Sequence, residues 1–88
     1  MKLYLAHVGF YDEAIGMYEL HSNLFVVAED VATAKQKIKN KNIFTEKKMH
    51  IDGIQEISNV DDYEICLIKQ LNSNDNKVYG YDDVKKLA

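Results

Sequence analysis

The sequence predicts an α+β fold of order β-β-α-β-β: an antiparallel four-stranded sheet, one main helix on one sheet face, and a short C-terminal tail element. Three observations predict it. Side chains alternate with period two through residues 2–10 and again through 18–28. Val31, Ala34 and Ile38 recur at spacings of three and four, the pattern of a helix with one narrow apolar stripe. After them, the β-prone runs 49–58 and 63–71 flank the polar turn Asn59-Val60-Asp61-Asp62. Two hairpins joined by one helix make an antiparallel sheet covered on one face. Residues 1–71 form a single α+β domain in this reading, and 72–88 a C-terminal extension, either a short helix or a docking tail.

In the first strand, Leu3, Leu5 and His7 lie on one side and Tyr4, Ala6, Val8 and Phe10 on the other. Both sides are largely apolar, as in a strand covered on both faces. Residues 11–17 contain Asp12 and Gly16 and read as a hairpin loop. The second strand, Tyr18 to Ala28, places Leu20, Leu24 and Val26 on one face and Glu19, His21, Asn23, Phe25 and Val27 on the other. Asp30 is a good N-cap for a helix over Val31–Asn40, and lysines gather toward its C-terminal end, where the helix dipole favours them. Ile43 and Phe44 are expected to anchor the following loop. Gly53 marks a bulge or close approach in the third strand. The fourth strand carries Cys66 as a buried small hydrophobe, 72–77 is a polar loop, and Asp82 and Asp83 can cap a short terminal helix.

With 88 residues and one cysteine, the chain buries only about 60–65% of its unfolded surface and has no disulfide to compensate. Oligomerisation is the usual remedy. One helix can cover one sheet face, so the other apolar face calls for a second copy of the chain. The longest apolar run is Leu24–Ala28, too short to span a membrane. His7 interrupts the N-terminal apolar stretch and no cleavage site follows, so a cytoplasmic protein is expected.

The formal charge of −3 is uneven: residues 35–48 carry six Lys and one Glu, or +5, against −8 elsewhere. Lys35, Lys39, Lys41, Lys47 and Lys48 are therefore candidate anion contacts, to phosphate or weakly to nucleic acid. The chain has no Arg, which argues against base-specific readout.

The histidines suggest a second candidate. Glu19 and His21 are two residues apart, as are His50 and Asp52, so each pair shares a strand face. Pairing Phe10 with Tyr18 sets His7 opposite His21, and even register shifts keep them on one face. One face then carries His7, Glu19, His21, His50 and Asp52. Such a set suits a divalent metal, an acid–base pair, or hydrogen-bonded His–carboxylate pairs at a subunit boundary. No recognisable nucleophile, oxyanion donor or Gly-rich phosphate loop accompanies it, and no cofactor is expected beyond a metal ion.

Leu5-Ala6-His7-Val8-Gly9, Tyr18-Glu19-Leu20-His21, Phe25-Val26-Val27-Ala28, His50-Ile51-Asp52 and Val60-Asp61-Asp62-Tyr63 occur in an order that resembles a small bacterial family, domain-of-unknown-function family 1543. The resemblance covers about residues 2–68 and assigns no activity. It implies that Glu19, His21, His50 and Asp52 match recurring polar positions, and that a single-copy member pairs, since relatives carry one or two copies. Phe10 and Asp62 stand where the family pattern has glycine, which implies turns of altered shape. The sequence therefore favours a homodimeric structural or interaction module without catalysis. A metal-binding protein or small metal-dependent enzyme is the alternative, and weak phosphate or nucleic-acid binding the second.

Overall fold

The computed structural model describes residues 1–72 and 75–88. Its elements are β1 (Lys2–Tyr11), β2 (Glu19–Ala28), α1 (Val31–Lys39), α2 (Asn42–Glu46), β3 (His50–Ile57), β4 (Asn59–Val60), β5 (Tyr63–Glu64) and α3 (Tyr81–Lys85). The polar loop expected over 72–77 includes residues 73 and 74, which lie outside the described residues.

β1 is the central strand of a three-stranded antiparallel sheet of order β2-β1-β3. Phe10 pairs with Leu20 rather than Tyr18, so His7 faces Asn23 and His21 faces Gly9. The shift of two residues is even, and every side chain keeps its expected face. Tyr4, Ala6 and Val8 point to the helix side and are buried with Val26 and Ala28. α1 closes that side with Ala34 and Ile38, both fully buried, while Val31 stays exposed. Met49 completes the core, and Phe10, Leu24, Phe44, Ile51 and Ile54 pack around it.

α1 begins where the sequence places it. The Asp30 carboxylate accepts a hydrogen bond of 2.7 Å from the Thr33 amide, occupying one of the free donors of the first turn. That bond holds the Asp30 carboxyl below its ordinary pKa. At the sheet edge the Lys37 ammonium donates to the Val27 carbonyl at 2.7 Å.

β3 departs from strict alternation. His7 pairs with Gly53 and Val8 with Ile51, which leaves Asp52 as the extra residue of a bulge. The bulge allows Ile51 and Ile54, three residues apart, both to reach the helix-side core, while His50 and Asp52 stay on the opposite face.

The single four-stranded sheet is corrected. The expected fourth strand survives only as Tyr63–Glu64, which pairs with Asn59–Val60 in a separate two-stranded ladder. One further bond, from the Ile65 amide to the Ser58 carbonyl at 2.9 Å, extends it before the chain leaves the edge of β3. α1 packs chiefly over β2 and β1, so a fourth strand beside β3 would gain hydrogen bonds but little apolar burial. For the same reason Cys66 is exposed rather than buried. α2 replaces the expected loop after α1; Phe44 anchors it, but Ile43 is exposed. The terminal helix forms, with the Gly80 amide donating to Asp83 Oδ2 at 3.0 Å, and Tyr79, Tyr81 and Val84 are exposed.

Two predictions follow from the packing. Ile38→Ala should cost about 2–5 kcal/mol, a large share of the stability of so small a domain, read as a lower urea midpoint. An effect below about 1 kcal/mol would show that α1 contributes little to the core. Asp61 and Asp62 both have positive φ (52° and 67°), the conformation of a two-residue hairpin turn that favours glycine. Asp62→Gly should relieve roughly 1 kcal/mol of local strain and slow amide exchange at Ile65 about five-fold. An unchanged exchange rate would refute strain at this turn.

Candidate functional site

The face of the sheet opposite α1 is open and divides into two halves. Near the N-terminus of β1 it is apolar: Leu3 and Leu5 are half-buried, Ile57 lies beside Leu3, and Phe25 and Val27 are exposed. Residues 67–69 pass nearby and enclose, with Met1 and Val27, an apolar cleft of about 430 Å³. Toward the β1–β2 hairpin the same face becomes polar and carries all three histidines of the chain.

The structure brings His7, Glu19, His21, His50 and Asp52 together. His50 Nε2 lies 2.7 Å from Glu19 Oε1 and 3.3 Å from Asp52 Oδ1. The other Asp52 oxygen is 3.3 Å from His21 Nδ1, and His21 Nε2 is 4.0 Å from Glu19 Oε2. His21 also stacks on His7, with ring centroids 4.9 Å apart and planes 6° from parallel. Asn23 holds the His7 ring through a 3.0 Å contact between its Oδ1 and His7 Nδ1. Asp52 is thus shared, with one oxygen toward His50 and the other toward His21.

The strand period of two puts Asp52 on the face of His50, and the bulge after it returns Ile54 to the helix side while Asp52 stays where it is. Gly9, between them on the central strand, pairs with His21 on one side and His50 on the other. A Cβ at Gly9 would overlap Glu19 Oε1 and stand 2.6 Å from His50 Nε2, so Glu19 of β2 and His50 of β3 can meet across β1 only because this position has no side chain. Gly9 is the site residue that sequence reasoning missed. The available signal was a glycine interrupting an otherwise well-patterned strand, which often marks close approach of neighbouring groups.

Five groups with ligand or proton-transfer capacity occupy one solvent-accessible patch, with Glu19 and Asp52 about one-third exposed and His50 about half. Two sets of three can each bring one ligand atom within 4.8 Å of the others: Glu19, His50 and Asp52, and His7, His21 and Asp52.

The lysines are distributed over other elements. Lys35 and Lys39 stand four residues apart on α1, Lys41 caps α2, and Lys47 and Lys48 follow it. The Lys47 ammonium lies 4.0 Å from Asp12 Oδ2, and its neighbourhood is a mixed cleft of about 570 Å³ that includes Glu13 and Glu46. Acidic groups among the basic ones weaken the field offered to an anion.

A family model described as Domain of Unknown Function (DUF1543) matches residues 16–67, more than half of the chain. The matched stretch runs from before β2 to beyond β5 and contains Glu19, His21, His50 and Asp52. No curated protein and no solved structure matches.

Gly9→Ala tests the geometry directly. The added methyl should separate Glu19 from His50 and shift the His50 Nε2 resonance in imidazole 15N spectra, with the sheet's amide spectrum otherwise retained. An unshifted His50 resonance would mean that the contact does not depend on Gly9.

Proposed function

The chain belongs to the DUF1543 family, and on that premise we propose that it acts as a homodimeric interaction module, without catalysis of its own, in the bacterial cytoplasm. The observation carrying this reading is the sheet face opposite α1, where Phe25 and Val27 are exposed beside half-buried Leu3, Leu5 and Ile57.

A second copy is the simplest cover for this surface, because an isologous interface sets the same apolar patch of both chains against each other. Leu67 and Ile68, beside the apolar half, add to the area a partner can cover. The exposed, unpaired Cys66 suits a reducing compartment. Among the described residues no helix is long and apolar enough to cross a membrane. Nucleic acid lies outside the proposal, since the chain has no Arg and Lys37 and Lys47 already face partners of their own.

Analytical ultracentrifugation at micromolar concentration should give a species of twice 10.1 kDa. The double variant Phe25→Asp and Val27→Asp should sediment as the monomer while keeping its circular dichroism spectrum. A wild-type chain that sediments only as a monomer overturns the proposal.

A further inference from the structure

We propose that Glu19, His50 and Asp52 form a binding site for a divalent transition-metal ion, with zinc as the representative cation, and that His21 positions the site by holding the second oxygen of Asp52. The inference does not rest on dimerisation, because the cluster occupies the opposite half of the open face from the apolar surface.

The first argument is a hydrogen-bonding mismatch. His50 Nε2 is directed at two carboxylate oxygens, 2.7 Å away on Glu19 and 3.3 Å away on Asp52. A ring nitrogen carries at most one proton and cannot donate well to both. A cation among the three atoms satisfies all of them: the two carboxylates supply two negative charges, and the imidazole supplies a neutral nitrogen once Nε2 is unprotonated.

The second argument is geometric. Ligand atoms around a tetrahedral zinc with bonds of about 2.0–2.1 Å lie roughly 3.3 Å apart. The His50–Asp52 separation, 3.3 Å, matches that value, the His50–Glu19 separation is shorter at 2.7 Å, and all three ligand atoms fall within 4.8 Å of one another. Small rotations of half-exposed side chains would therefore complete the set. Three protein ligands leave a fourth position for water or a partner's donor atom.

The third argument is the cost of building the cluster. The open face loses a side chain at Gly9. That loss does not serve the apolar packing of the face, and it lets Glu19 and His50 meet across β1. His21, 3.3 Å from Asp52 Oδ2, supplies the kind of outer partner that orients a ligating carboxylate. An imidazole in the set favours a transition metal over magnesium or calcium, which prefer oxygen alone.

The test is calorimetric titration of ZnCl₂ into untagged, chelator-stripped chain at neutral pH. One ion per chain with micromolar or tighter affinity is expected. His50→Ala and Glu19→Gln should each weaken binding at least ten-fold, with unchanged circular dichroism showing that both variants fold. His21→Ala should weaken it less than either, and His7→Ala should leave it within about three-fold. Absence of zinc binding at 100 μM, equal affinity for MgCl₂, or affinity unchanged in both His50→Ala and Glu19→Gln overturns the site. A loss in His7→Ala as large as in His50→Ala overturns the ligand assignment. Sedimentation of the same samples reads dimerisation separately, so either proposal can fail without the other.

Discussion

The hydrogen bonding of β1 on both edges governs the rest of the molecule. As the strand between β2 and β3, it sorts every second residue to the helix side or to the open side, and its neighbours must follow. Tyr4, Ala6 and Val8 thereby become the floor on which Ala34 and Ile38 pack. Leu3, Leu5 and His7 are sent to the face that α1 cannot reach. The chain's one substantial helix makes the two faces unequal, and the candidate functional surface is a consequence of that inequality.

Two local departures from a regular sheet, a bulge in β3 and a missing side chain in β1, act on its two faces. Ile51 and Ile54 both belong in the core, and only a bulge lets residues three apart share a face. The strand period that sends His50 to the open side sends Asp52 with it, and the bulge lets the core recover Ile54 beyond them. Gly9 then removes the side chain that would have separated β2 from β3 above the central strand. The cluster of Glu19, His21, His50 and Asp52 is therefore assembled by strand alternation and by the space left at Gly9. Being half-exposed, its His–carboxylate contacts contribute little to stability by themselves.

Much of this was legible in the residues. The alternation in β1 and β2 and the Asp30 cap follow from local rules that hold whatever surrounds them. The shared face of Glu19 and His21 follows from the strand period of two. A turn over Asn59–Asp62 was likewise visible, but Asn59 and Val60 pair as β4 and only Asp61 and Asp62, both left-handed, make the turn. The error at Tyr63–Leu71 has a physical cause: a β-prone segment needs a partner and a surface to cover. Both are non-local, and α1 sits too far toward β2 to provide the surface beside β3. Cys66 followed the same error, since its burial was inferred from apolar neighbours in sequence that acquire no neighbours across a sheet.

By itself, the sequence determined the period of each strand, the position of the main helix and the set of residues able to share a face. These depend on backbone geometry within a few residues. Only the tertiary structure decided the pairing of Phe10 with Leu20, the bulge at Asp52, the vacancy above Gly9 and the departure of the chain after Ile65. Each of those depends on atoms brought together from distant parts of the chain, where register and packing volume, rather than local preference, set the outcome.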